Sequence, residues 1–320
     1  MSILNVIIDQ REGDLDVASA ELIAAARPAG EVNAIVLAGA EKAQAWGARL
    51  GELGVQKVFY RAQEGTEDLF EVTDLQFIHH VVYHYSQGSV VLAHTAEGGD
   101  IAGRLAARLG SGVLTDVVAL RADGSAQQSI FGDKVTITAA VGGACPVYTV
   151  RPGAVEPEEN PQAGAGELCP VDFVAQEAPG ARVLSFTPAV KGDRPELSQA
   201  KVVVAGGRGV GEEENFHSVL EPLADALGAA VGVTRDVVDL GHYPAQFQIG
   251  QTGATVSPDL YIGAGISGAI QHTSGMQTAG TIVVINNDED APIFQIADLG
   301  VVGDLFDVLP ALTKEIESRR

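Results

Sequence analysis

The chain has 320 residues and a formal net charge of -22, enough length for two domains with ordinary cores and too much negative charge for a nucleic-acid or anionic-membrane binder. Hydrophobic residues make up 46% but aromatics only 5%, the balance of an Ala-, Val- and Gly-rich α/β protein. No apolar run is long enough for a membrane span, and the opening MSILNVIIDQ reads as a strand without a basic leader, so a cytoplasmic location is expected.

Leu4 to Ile8 reads as a buried strand and Val17 to Ala26 as an alanine-rich helix ending before Pro28. Val32 to Leu37 is a second strand, Lys42 to Leu53 a helix closed by Gly54, and Val55 to Tyr60 a third strand. Asp74 to Tyr85 is helical, with Phe77, Ile78, Val81, Val82 and Tyr85 on one stripe. Ser89 to His94 is a strand, and Asp100 to Leu109 a helix stopped by Gly110. Such alternation predicts a mainly parallel sheet with helices on both faces.

His79, His80 and His84 lack a carboxylate or thiol at ligand spacing, so no metal is assigned to them. His94 ends a strand, the position of ligands in α/β folds, and is expected to line a nucleotide-type cleft if one exists there. Cys145 and Cys169 are too few for a disulfide framework and read as reduced thiols. Between Ser129 and Arg151 the alternation of Phe131, Val135, Ile137, Val147, Tyr148 and Val150 predicts two or three more strands. The acidic stretch from Ala154 to Ala181 is expected to be partly loop, with Phe173 and Val174 available to pack. Val183 to Phe186 is expected as a last strand and Lys191 to Ser198 as a linker. The domains are therefore set at 1–190 and 199–320.

The second half opens with a strand, Val202 to Ala205, running into the glycine-rich turn Gly206-Gly207-Arg208-Gly209. A helix follows whose Phe216, Val219, Leu220, Leu223, Ala224 and Leu227 share a face, and Gly228 ends it. Arg208 stands where a planar cation suits diffuse anionic charge. Ala230 to Val233 is the next strand, with Thr234 and Arg235 at its C-terminal end. Gly241 to Val256 is too rich in Gly and Gln for a packed element and reads as a functional loop.

Leu260 to Ile262 then leads into Gly263-Ala264-Gly265-Ile266-Ser267-Gly268, followed by helix-compatible Ala269 to His272. A G-x-G-x-x-G turn after a strand and before a helix predicts an adenine dinucleotide, its pyrophosphate facing the N–H groups of the helix start. Thr281 to Ile285 is a further strand ending on Asn286-Asn287-Asp288.

The words GISGAIQH, GM, VINND, APIF and AD-x-G-x-x-x-D, in this order, closely resemble the alpha subunit of electron transfer flavoprotein. So do QIGQTG at Gln248 to Gly253 and the segment GGDIAGRLAARLGSGVLTDVVAL ending at Leu120. The resemblance implies two Rossmann-like α/β domains with mainly parallel sheets, the C-terminal one binding FAD. It implies that Ile249, Gly250, Gln251 and Thr252 contact the flavin, with Gln248 beside them and the Thr252 hydroxyl near N5. Thr234 and Arg235 would lie beside the ring, Ser267 and Gln271 would hold phosphate and ribityl groups, and Gly265, Ile266 and Gly268 would shape the turn. His272 would face N1 and the C2 carbonyl, and Asn286, Asp304 and Leu305 would hold the adenosine end. The family commonly has Ser where this chain has Thr234, which keeps the hydroxyl, and Lys where it has Ala254.

Reduced flavin carries negative charge over N1 and the C2 carbonyl, so a cation or hydrogen-bond donor there raises the potential. Arg235 and His272 are expected to supply it. The family implies a beta-subunit partner, dehydrogenases (acyl-CoA dehydrogenases as usual donors) and a membrane quinone oxidoreductase, an electron carrier in fatty acid β-oxidation. Two rivals stand beside this reading. One is an NAD-dependent dehydrogenase using the GAGISG turn with Asp288 on the ribose. The other is a nucleotide-binding scaffold.

Overall fold

Short runs of Val and Ile buried on both faces, the pattern of parallel strands, form β1 (Ile3–Ile8), β2 (Glu31–Val36), β3 (Val55–Arg61) and β4 (Ser89–Ala93). Between them run α1 (Val17–Ala26), α2 (Ala40–Glu52) and α3 (Val72–His84), and α4 (Ala96–Leu109) follows β4. These elements come from a computed structural model that describes residues 2–8, 15, 17–62, 71–131, 135–157, 162–182, 184–185, 194–197 and 199–319. The ends of α4 show why it starts and stops where it does. The Thr95 hydroxyl accepts from the Gly98 N–H at 3.0 Å, and Gly110 leaves the helix in the left-handed region at φ 60°.

The chain divides into two compact units, Met1–Pro188 and Ala189–Arg320. In the first, β5 (Val113–Leu120), β6 (Ala126–Ile130), β7 (Val135–Ala139), β8 (Val147–Val150) and β9 (Glu167–Val171) complete a nine-stranded sheet ordered β7-β6-β5-β8-β4-β1-β2-β3-β9 among the described residues. Only the β5–β6 and β6–β7 pairings there are antiparallel. The segment from Ser129 to Arg151 thus holds β7, β8 and the end of β6.

The acidic stretch, expected to be partly loop, also holds a strand: Glu167–Val171 pairs in parallel with β3 at the sheet edge, a position that tolerates Pro170. Phe173 packs edge-on against Phe77 with ring centroids 5.3 Å apart, whereas Val174 is exposed. The expected strand at Val183 to Phe186 lies partly outside the described residues, and its described members, Leu184 and Ser185, are in no regular element. Half of the expected linker from Lys191 to Ser198 also lies outside them. His79 stacks on Tyr83, and His80 tilts against His84; no group of three or more His, Cys, Asp or Glu among the described residues is arranged to hold a metal. His94 directly follows β4 rather than ending it, and its Nδ1 lies 2.9 Å from the Thr149 hydroxyl and its Nε2 3.9 Å from Asp116. Cys145 and Cys169 are free thiols.

The second unit is built on β10 (Val202–Gly206), β11 (Ala230–Val233), β12 (Leu260–Ala264), β13 (Thr281–Asn286) and β14 (Leu299–Val302). All pair in parallel, in the order β11-β10-β12-β13-β14. One face is covered by α5 (Glu213–Asn215), a π-helical turn (Phe216–Leu220), α6 (Glu221–Leu227) and the last helix, whose Phe216, Leu220, Leu223 and Leu309 are fully or nearly fully buried. The expected single helix is therefore interrupted. Pro222 has no N–H for the regular ladder, and the widened turn lies just before it. Ile249, Met276, Ile282 and Ile293 fill the other face.

No helix is long and apolar enough to cross a membrane among the described residues.

Candidate cofactor site

The strand order of the second unit reverses between β10 and β12, and doubly wound sheets bind ligands in the crevice this leaves at the strands' C-terminal ends. β10 ends in Gly206-Gly207 and β12 in Ala264-Gly265. Above them opens a cavity of about 550 Å³, within the usual range for small-molecule sites.

The two glycine turns form its floor by direct backbone packing. Gly207 donates to the Ala264 carbonyl at 2.9 Å, and Gly209 to the Gly265 carbonyl at 3.0 Å. A Cβ on Gly207 would stand 2.4 Å from the Gly265 oxygen, so no side chain fits between the turns. Asn286, buried at the end of β13, fixes the second turn: its amide donates to the Ile266 carbonyl at 2.8 Å and its oxygen accepts from the Asp288 N–H at 3.0 Å.

Arg208, Thr234, Arg235, Gln248, Ile249, Gly250, Thr252, Gly265, Ile266, Ser267, Gln271, His272 and Asn286 all line the cavity. Sequence reasoning missed Asp236, Asp239, Asn287 and Ala291, which line it too. Arg208 lies 3.8 Å from Asp236, and Arg235 Nε 3.2 Å from Asp239, so each rim cation is partly offset by a neighbouring acid. Asp239 follows Arg235 at the i,i+4 spacing of α7 (Arg235–Asp239), the signal that would have found it.

Four predicted residues do not line it. The Gln251 N–H donates to the Gln271 carbonyl at 2.7 Å, and Gly268 backs onto Ile293. Asp304 caps the last helix, α9 (Leu305–Arg319), accepting from the Phe306 N–H at 2.9 Å, and Leu305 is buried in the core.

Two further expectations are corrected. Gly263 lies within β12, and the helix after the turn, α8 (Ile270–Thr273), is a single turn. A helix this short offers little macrodipole to the expected pyrophosphate. His272 is not a free cation either. Its Nδ1 lies 3.1 Å from the Ile249 carbonyl and its Nε2 2.7 Å from the Tyr261 hydroxyl. Because a carbonyl only accepts, Nδ1 carries the proton and Nε2 accepts from the tyrosine. Burial lowers its pKa to about 4, so the ring is neutral.

Asp288 lines the cavity, yet its side chain accepts from the Asp290 N–H at 3.1 Å and its carbonyl from the Ala291 N–H, which makes it a turn residue.

A doubly wound parallel domain with bare glycine backbone at its switch point defines a nucleotide-cofactor-binding protein. The family model for the electron transfer flavoprotein FAD-binding domain matches residues 196–277, and that for the electron transfer flavoprotein domain matches 4–174. Relatives described as electron transfer flavoprotein subunit alpha cover 98% of the chain: from Mycobacterium tuberculosis at 52% identity, Mycobacterium leprae at 49% and Bacillus subtilis at 36%. The matches span 98% of both mycobacterial relatives and 96% of the Bacillus one. The chain belongs to the electron transfer flavoprotein alpha-subunit family, and the cofactor of its matched C-terminal domain is FAD.

The site fits that group: side-chain-free backbone at Gly207, Gly209 and Gly265 suits a pyrophosphate, and two guanidinium groups stand at the rim.

Proposed function

We propose that the chain carries FAD in the cavity between β10 and β12 and serves as an electron carrier rather than an enzyme with its own substrate. It takes electrons from dehydrogenases, acyl-CoA dehydrogenases among them, and passes them to a membrane quinone oxidoreductase in fatty acid β-oxidation. It works in the cytoplasm as a heterodimer with an electron transfer flavoprotein beta subunit.

The observation that carries the reading is the backbone packing of the two glycine turns beneath a cavity with Arg235 at its mouth. Bound FAD supplies a ring that takes up and releases electrons singly or in pairs. The glycine turns admit the pyrophosphate, Asn286 holds the second turn in place, and Arg235 sets positive charge beside the ring. The loop carrying Gln248 to Thr252 closes one wall, its Thr252 hydroxyl accepting from Gln248 at 2.9 Å.

A partner subunit is supported by apolar side chains left open on this unit. Ile270, beside Gln271 and His272, is 79% exposed, and Leu299, Val302 and Phe306 are exposed as well.

Coexpression with the beta subunit, followed by an absorption spectrum and release of the chromophore on denaturation, tests the reading. A flavin spectrum, FAD on release and reduction by an acyl-CoA dehydrogenase with its substrate are expected. A colourless protein that binds NAD would return the choice to the dehydrogenase built on Asp288.

A further inference from the structure

We infer that Tyr261 is a positioning residue of the cofactor cavity: through His272 it sets the Ile249 peptide, and with it the loop from Gln248 to Ala254. The purpose of this chain of bonds rests on the FAD reading of the cavity; its geometry does not.

Tyr261 sits on β12 with no exposed surface, among Val203, Met276 and Ile282, and does not line the cavity. A phenol in such surroundings keeps its proton, and its hydroxyl needs a partner inside the protein. That partner is His272 Nε2 at 2.7 Å. The other side of the ring donates from Nδ1 to the Ile249 carbonyl at 3.1 Å, and the Ile249 N–H donates to the Val233 carbonyl at 2.9 Å. The Ile249 residue is thus clamped between the end of β11, where Thr234 and Arg235 begin, and a ring anchored on β12.

The loop beyond Ile249 depends on this clamp. It folds back through Gly250 N–H to the Ala254 carbonyl at 3.1 Å and Ala254 N–H to the Gln248 carbonyl at 2.7 Å. A Cβ on Gly250 would stand 2.4 Å from the Gln271 oxygen, so the loop lies directly on α8 with no slack. Gln248, Gly250 and Thr252, which line the cavity, follow wherever Ile249 is held. Phenylalanine at 261 would fill nearly the same volume and leave Nε2 buried without a donor. The hydroxyl, not the ring, is what the position requires.

Nitrogen-15 labelling of histidine in the full chain, with His272→Gln to assign the resonance, reads both ring nitrogens directly. Wild type is expected to show Nδ1 protonated and Nε2 bare and hydrogen-bonded between about pH 6 and 8. In Tyr261→Phe the Nε2 signal should move to the value of a free acceptor. Amide exchange at Gly250 and Ala254 and the dissociation constant for FAD should each rise about tenfold, the scale of one lost buried hydrogen bond.

A wild-type ring with its proton on Nε2 and none on Nδ1 would overturn the inference without any variant. So would a folded Tyr261→Phe in which Nε2 is unmoved, or in which exchange rises evenly across the sheet. If the nitrogen and loop changes appear while neither protein binds FAD, the positioning role stands and the FAD reading falls.

Discussion

Gly209 donates its N–H to the carbonyl of Gly265 across 3.0 Å, and a Cβ built on either would lie 2.8 Å from the Cα of the other. Two loops far apart in sequence meet here as bare backbone, directly beneath the cavity. Gly209→Ala tests the space alone, whereas Gly265→Ala also strains a left-handed residue at φ 63°. We expect each to cost about 1–3 kcal/mol, Gly265→Ala more, and to weaken FAD binding. Urea unfolding and flavin titration measure both. Full affinity in Gly265→Ala would mean that the turns can part without harm to the site.

His272 should make stability depend on pH. Its folded pKa of about 4 lies below the ordinary 6.5, so the unfolded chain takes the proton first. The contribution is complete above pH 6.5, is lost as pH falls from there to about 4, and changes no further below. Over that window it amounts to roughly 3 kcal/mol, at about 1.4 kcal/mol for each pH unit. Urea unfolding from about pH 7.5 down to about pH 4 should show a flatter profile in His272→Gln than in wild type. Parallel profiles would place the acid sensitivity in the carboxylates instead.

Arg235 is the rim cation expected to tune the flavin. Its side chain is exposed and shares its charge with Asp239, so its effect is modest. Arg235→Ala is expected to lower the reduction potential by about 30 mV, the equivalent of ~1.4 kcal/mol for the two-electron couple. FAD content should fall only in part, because the glycine turns remain. A redox titration with an unchanged potential in the loaded variant would remove Arg235 from that role.

Asn286 joins β13 to the Ile266 carbonyl. Asn286→Ala should cost about 1–3 kcal/mol by leaving a buried carbonyl without its donor. Asn286→Asp should be worse near neutral pH, since it sets a carboxylate against the same carbonyl, and should recover part of the loss as pH falls. Thermal melts at two pH values separate these cases; an Asp variant as stable as wild type would show that the turn needs no donor.

The two units have separate cores. A fragment spanning 189–320 is expected to retain measurable FAD affinity, and one spanning 1–188 none. Flavin fluorescence titration of each decides it. Tight binding by the 1–188 fragment would move the cofactor to the other unit.

Much of this protein was already written in contiguous stretches of sequence. Val17–Ala26 and Ala230–Val233 have the bounds their patterns predict, because apolar period and terminal residues such as Pro28 and Gly228 act locally. The glycine turns were legible for the same reason, each a short word next to a strand end, and most other cavity-lining residues through the resemblance of words such as QIGQTG and GISGAIQH to the flavoprotein alpha subunit. Pairing order was not, since nothing local says that β10 lies between β11 and β12, and that order creates the crevice. Nor was the chemistry of His272, which beside a glycine turn reads as a donor for the cofactor. Its protonation is decided by Tyr261 on a strand and by the Ile249 carbonyl on a loop, groups brought to it only by folding. The hydrogen bonds open to a buried side chain depend on its neighbours in space, and that set is fixed by tertiary packing.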